Sequence, residues 1–126
     1  MTPTVTEWYG SRDADALLIE SGIDSALDWV RNQGIRPQLA YVDPPFASAR
    51  DYHVRLRSVG GVETQRVAYS DRWRDGLDGY LRWMEQVLVS VRDVLAEAGS
   101  VLVHCDYHAG PYLAVLCDRV FGRGAR

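Results

Sequence analysis

The apolar run Leu39-Ala40-Tyr41-Val42 leads directly into Asp43-Pro44-Pro45-Phe46, and these two prolines constrain the surrounding fold more than any other feature of the chain. Proline fixes φ near about −65° and donates no backbone N–H, so neither a helix nor a strand ladder continues through two of them. The four apolar residues therefore read as a short strand that stops at a rigid turn. A carboxylate, carbonyls without neighbouring donors and an aromatic ring are then held in one arrangement. Such a turn offers acceptors beside a stacking face, which suits a planar amine; the same residues also fit a plain strand end with Phe46 buried.

Upstream, Ala16-Leu17-Leu18-Ile19 reads as a short buried strand, Asp24 as the N-cap of a helix through Leu27 and Val30, and Gly34 as that helix's stop. A second strand follows over residues 38–42. Strand, helix and strand joined by short links predict a parallel pair with a right-handed crossover. Ligands of open parallel sheets collect beyond the carboxyl ends of the strands, which is where Asp43 to Phe46 falls.

Downstream the pattern changes to alternation over Tyr52-His53-Val54-Arg55-Leu56-Arg57, a Gly60-Gly61 break and a second extended run, Arg66-Val67-Ala68-Tyr69. This is a hairpin signal, compatible with a flap over a pocket or with a plain surface ribbon. Leu81, Met84, Leu88, Val91 and Leu95 then form one apolar stripe on a helix entered near Asp75 or Asp78 and closed by Gly99. Trp83 and Met84 on it read as packing. Val101-Leu102-Val103 predicts a third buried strand, and Pro111 opens a last helix with Leu113, Leu116 and Val120 inward and Gly122 at its end. The expected fold class is α/β, a mainly parallel sheet with flanking helices and an inserted β-hairpin.

With 126 residues, 47% hydrophobic and 25% charged, the chain fits one soluble globular domain or a large piece of one, and no repeat or linker marks a boundary. No apolar stretch approaches the about 20 residues needed to cross a bilayer, and Met1 to Glu7 lacks a basic start and an apolar segment. Cytoplasmic residence without a membrane partner is the expectation. Cys105 and Cys117 lack C-x-x-C spacing and read as buried thiols. A net charge of −3 gives no global field for nucleic acid, so such a partner must be met locally. Arg50, Arg55 and Arg57 are the candidate DNA contacts, within a segment that also holds Arg66, Arg72 and Arg74 against Asp51, Glu63 and Asp71. All the basic residues are arginine, so composition bias explains the same cluster.

His104-Cys105-Asp106-Tyr107-His108 admits two readings. If the third strand continues through it, His104, Asp106 and His108 share one side at a metal-ligand spacing. Otherwise it is a polar strand end, with Asp106 available to a ligand and His104 bonded locally. No Ser-His-Asp order and no G-x-x-x-x-G-K loop occurs in the chain.

Taken together, Leu39 to Phe46, Val67-Ala68-Tyr69-Ser70-Asp71-Arg72-Trp73, Tyr80-Leu81-Arg82-Trp83-Met84, Gly99 to Asp106 and Tyr112 to Gly122 resemble site-specific DNA amino-methyltransferases. These are the N6-adenine and N4-cytosine enzymes whose catalytic motif precedes the cofactor motif, as in type III restriction-modification systems. The resemblance spans about Leu17 to Gly122 in consistent order. It implies a partial Rossmann-like fold and methyl transfer from S-adenosylmethionine to the exocyclic amine of a base flipped out of double-stranded DNA, adenine preferred, without a metal. Asp43, Pro44, Pro45 and Phe46 match the catalytic motif. Asp43 and the Pro44 carbonyl would hold the amine hydrogens and Phe46 would stack on the base, while Asp43 and Asp106 are the candidate cofactor contacts.

Two features depart from the family pattern. Glu20-Ser21-Gly22-Ile23-Asp24 stands where the family has a Gly-Asp pair, and neither the F-x-G-x-G donor loop nor a target-recognition segment occurs. The expectation is one partial catalytic domain over residues 1–126, inactive alone or completed by a second polypeptide carrying the cofactor motif. The alternatives are a non-enzymatic remnant and, more distantly, a metal-dependent hydrolase built on His104, Asp106 and His108.

Overall fold

The computed structural model describes residues 18–57, 61 and 63–125. They fall into two units, one made of residues up to Ala40 with Gln86–Leu102, the other of Tyr41–Glu85 with Val103 onward. The helices are α1 (Ile23–Asn32), α2 (Gly76–Val94) and α3 (Gly110–Phe121); the strands are β1 (Leu39–Val42), β2 (Asp51–Arg57), β3 (Glu63–Ser70) and β4 (Ser100–Val103). A short 3-10 turn over Arg123–Ala125 follows α3. The first expected strand lies partly outside the described residues, Leu18 forming an isolated bridge.

In the first unit, α1 begins two positions earlier than an Asp24 cap requires. Gly22 is the N-cap, in an extended conformation, and Asp24 lies in the first turn, where its carboxylate faces the positive end of the helix dipole. The helix ends as expected. The Ile35 N–H donates to the Val30 carbonyl and the Gly34 N–H to the Arg31 carbonyl, the paired bonds of a Schellman motif, with Gly34 at φ +69°. Gly99 serves a different end from the helix closure expected of it. It sits in the turn before β4, where a Cβ would lie 2.9 Å from the Ala96 carbonyl oxygen and 3.1 Å from that of Pro37. Val87, Leu88, Val91 and Val94 of α2 are the buried side chains here.

β1 pairs with β4. The Gln38 carbonyl accepts from the Ser100 N–H (2.9 Å) and the Val42 carbonyl from the His104 N–H (2.8 Å). The offset is constant and both strands run the same way, so the pair is parallel, as the strand-helix-strand order predicts. Both strands are half-buried, although β4 is expected to be buried: alternate residues in each are exposed, Leu39, Tyr41 and Leu102 among them. A parallel strand carries apolar residues on both sides and needs cover on both. The described residues cover only one.

The second unit holds the hairpin and α3. β2 and β3 pair antiparallel from Asp51↔Ser70 to Arg57↔Glu63, with a bulge after Tyr52 that leaves Ala68 unpaired. Apart from half-buried Tyr52, the ribbon is exposed along its length. Leu113, Leu116 and Val120 are buried on α3, the three positions the sequence predicts, and Gly122 ends the helix at φ +91°. On the amino-terminal part of α2 the buried residues are Tyr80 and Met84. The buried face of α2 is thus turned one position from the predicted stripe. Tyr80, Val87 and Val94 are buried while Leu81 and Leu95 are half-exposed, because residues adjacent in sequence lie only about 100° apart around a helix. Among the described residues no helix is long and apolar enough to cross a membrane.

Candidate functional site

The turn after β1 leaves its carboxylate in the open. Asp43 is exposed and has no hydrogen-bond or ion-pair partner among the described residues, while Pro44 beneath it is buried. Phe46 is half-buried, its ring centroid 5.4 Å from that of His104 at 58°. His104 in turn stacks on Tyr41 at 6.4 Å and 25°. The ladder bond from His104 to Val42 brings this histidine from the end of β4 to the start of the turn. A row of three rings, Tyr41, His104 and Phe46, therefore runs beside a free carboxylate.

The segment after Phe46 is strained and clamped. Ala47 and Ala49 both adopt φ +55°, the left-handed region that costs a residue with a Cβ about 1–2 kcal/mol. Asp71, 1% exposed at the end of β3, holds it. One of its oxygens accepts from the Ala47 N–H (3.1 Å) and the Trp73 indole (3.0 Å); the other accepts from the Ser48 N–H and hydroxyl, both at 2.7 Å. Successive N–H groups where right- and left-handed residues alternate form a concave anion nest, and here the N–H groups of Ala47 and Ser48 meet a side-chain carboxylate of the protein. Burial pushes the Asp71 carboxyl up, but the bonds from Ser48, Trp73 and Ala47 outweigh it and hold the group below the usual carboxylate range. The Asp71 N–H also donates to the Arg50 carbonyl at 2.8 Å, closing the base of the hairpin on this loop.

Two tyrosines adjoin the clamp. The Tyr52 hydroxyl donates to Ser48 Oγ at 3.1 Å, and its ring stacks on Tyr69 at 4.6 Å and 12°. Partial desolvation, then Tyr52, Asp71 and Asp43, push the Tyr69 phenol up, so the Asp43 charge is felt at this ring. Tyr80 packs edge-on against Trp73 at 5.4 Å and is fully buried. Its hydroxyl has no hydrogen-bond partner among the described residues, and burial drives its pKa far up.

Asp106 is engaged locally. One oxygen accepts from the backbone N–H groups of His108 (2.9 Å) and Ala109 (3.2 Å), and the other lies 3.0 Å from His108 Nδ1. These bonds, the His108 contact foremost, lower the Asp106 pKa and close the turn into α3. Because β4 ends at Val103, the strand alternation needed to align His104, Asp106 and His108 does not form, and the described residues contain no group of three metal-capable side chains. Both cysteines are half-buried, and neither is in a disulfide. The arginines separate: Arg55 and Arg57 lie on β2 opposite Gln65 and Glu63, Arg66 lies opposite Val54, Arg50 is in the loop, and Arg72 pairs with Asp51 at 3.0 Å.

The sequence pattern does not single out Asp71 or the Tyr52–Tyr69 pair, and it marks His104 only as a candidate metal ligand or a locally bonded strand end. Asp71 stands in an Asp-Arg-Trp-Arg stretch that looks like a solvated turn, and only its burial distinguishes it. His104 carried a signal in the strand order, since parallel neighbours bring strand ends together.

The described residues do not assemble a cradle for a nucleoside-bearing methyl donor. Asp106 is occupied, and the link from β4 to α3, residues 104–109, contains no glycine to bring the backbone close to a ligand. What they do assemble is an acceptor corner with a stacking face.

Comparison with known proteins gives the family. Residues 38–126 match the N6/N4 DNA methylase family. The chain is 29% identical over 98 residues to the type II methyltransferase M.EcaI of Enterobacter cloacae, covering 78% of this chain and 20% of that protein. It is 24% identical over 100 residues to the type III restriction-modification enzyme EcoPI Mod subunit of Escherichia phage P1, covering 68% of this chain and 16% of that one. The chain thus spans about a fifth or less of the length of these relatives. No solved structure gives a significant match. The family match covers the strand, the Asp-Pro-Pro-Phe turn, the hairpin, α2, β4 and α3, and the chain belongs to the DNA methylase family.

Proposed function

We propose that this chain is the acceptor-binding portion of a DNA amino-methyltransferase, with adenine N6 as the preferred target and S-adenosylmethionine as the methyl donor. The exposed, unpartnered Asp43 carboxylate at the carboxyl end of a parallel strand, beside the half-exposed Phe46 ring, carries this reading. An exocyclic amine is a poor nucleophile because its lone pair is delocalised into the ring. Acceptors placed at its hydrogens localise that pair, and preorganised acceptors do so without reorganising when charge develops. Asp43 takes one hydrogen, the Pro44 carbonyl the other, and Pro45 keeps the turn rigid between them. Phe46 fixes the plane of the base.

The donor side belongs to a second segment or polypeptide carrying the F-x-G-x-G loop, and the exposed apolar positions Leu39, Tyr41 and Leu102 on the strands support a need for further cover. On this reading the chain binds S-adenosylmethionine weakly when alone, forms one part of a Rossmann-like domain, and acts on double-stranded DNA within a restriction-modification system.

The test is transfer of a labelled methyl group to DNA by the chain alone and by the chain mixed with a polypeptide carrying the remainder of a relative. The expected product is N6-methyladenine, identified by mass spectrometry, in the mixture only and absent with Asp43→Ala. Transfer that persists in Asp43→Ala would overturn the reading, and N4-methylcytosine would overturn the choice of base.

A further inference from the structure

We propose that the hairpin meets a DNA strand with only one of its two faces, the one bearing Tyr52, Tyr69, Val54 and Arg66, so that Arg66 contacts a phosphate and the Tyr69 ring stacks on a base beside Asp43. The opposite face, which holds Arg55 and Arg57, is turned away from the nucleic acid. This rests on the DNA reading above and deepens it by naming the surface.

The faces follow from the register. Cross-strand partners share a face, so Val54 and Arg66 lie together, as do Leu56 and Thr64, while His53, Arg55 and Arg57 lie with Val67, Gln65 and Glu63. Tyr52 is two residues before Val54 and so lies on its side, and Tyr69 stacks on Tyr52. Arg66 and Tyr69 are three residues apart and would point to opposite sides of a regular strand. The unpaired Ala68 of the bulge changes the count and puts them on the same side. That side leads to the proposed acceptor corner, because Tyr52 is bonded to Ser48 in the clamped loop and the Asp43 charge reaches Tyr69.

Charge and chemistry differ between the faces. On the tyrosine side Arg66 is the one charged residue of the ribbon's described positions, and it has no ion-pair partner there. The opposite side mixes Arg55 and Arg57 with Asp51 and Glu63, and Glu63 stands directly across from Arg57. An aromatic and aliphatic surface with an unpaired arginine and no carboxylate along the ribbon matches the way single strands are held, by base stacking and a nearby cation. A mixed-charge surface does not. Val54 and Leu56, 41% and 48% exposed, extend the apolar side toward the hairpin tip.

The test measures binding of the full chain to a fluorescent duplex in which one adenine faces an abasic site and is easily extruded, and to the fully paired duplex, across a salt series. Arg66→Gln should lower the salt slope by about one and weaken binding about eightfold near 0.1 M salt. Tyr69→Leu should remove the preference for the extrudable adenine, while Tyr69→Phe retains it. The double variant Arg55→Gln with Arg57→Gln should stay within about twofold of the parent, since rim arginines off the contact surface add little. All four positions are exposed, and circular dichroism checks that each variant is folded. DNA binding that falls with the Arg55 and Arg57 pair and not with Arg66 would overturn the inference and leave the proposed function standing. A parent chain with no DNA affinity at low salt would overturn the inference together with the DNA reading.

Discussion

Replacing Asp71 with asparagine keeps the side chain's shape while removing its charge and one of its two acceptor oxygens. In the structure each oxygen takes two donors, Ala47 N–H with the Trp73 indole on one and Ser48 N–H with the Ser48 hydroxyl on the other. Whichever way the amide turns, its NH2 group faces at least one N–H that cannot accept. A hydrogen bond to a charged acceptor contributes about 1.5–3 kcal/mol, and a buried donor left unmet costs about 1–3 kcal/mol. Local opening of this loop should therefore become easier by about 3 kcal/mol, which accelerates amide exchange at Ser48 about 100-fold or more. Hydrogen exchange followed by NMR reads this directly, and the Ile35 amide, bonded to Val30 at the end of α1, serves as the internal reference. The left-handed alanines supply the counter-experiment: Ala49→Gly relieves about 1–2 kcal/mol of backbone strain against about 0.5–1 kcal/mol of added chain entropy, so it should slow exchange slightly. If Ser48 exchanges within threefold of the parent rate in Asp71→Asn, the carboxylate does not hold the loop.

Asp43→Ala should leave the unfolding free energy from urea titration within about 0.5 kcal/mol of the parent, because the side chain is exposed and unpartnered among the described residues, while abolishing methyl transfer in the complemented assay. Tyr80→Phe should be neutral or stabilise by up to about 1 kcal/mol in the same titration, since it removes a buried hydroxyl that has no partner among the described residues. Acid should destabilise the loop before the rest: the folded pKa of Asp71 lies below its unfolded value of about 3.9, so its contribution is complete above that pH and is lost as pH falls through the folded value. Ser48 exchange protection, corrected for intrinsic rates, should therefore hold at pH 5 and decline below about pH 4, and in Asp71→Asn that decline should vanish.

Most of the architecture was legible because its signals are local. Two prolines end β1, Gly34 ends α1 through backbone bonds that need a left-handed residue, and the spacing of Leu113, Leu116 and Val120 gives the buried side of α3. The misreadings arose where a residue's role depends on something distant. Leu81 and Tyr80 are neighbours in sequence, and only the packing decides which of them faces inward. Asp24 looked like a cap because of its residue type, yet Gly22 is already in the extended conformation that begins the helix. Within the site, the turn itself was readable, whereas the clamp behind it was not: Asp71 acts across more than twenty residues of sequence on Ala47 and Ser48. The arginines cluster in sequence, and only the pairing register separates Arg55 and Arg57 from Arg66.

The bulge at Ala68 has a consequence for how such a surface can change. Because Ala68 is the residue left out of the pairing, deleting it would keep Val67 opposite His53 and Arg66 opposite Val54, so the strand holds one spare residue that it can lose without exchanging its two sides. Loss of a single residue here would straighten the ribbon and leave its display intact, whereas a second loss, with no spare residue remaining, would slip the pairing by one and turn the displayed side over.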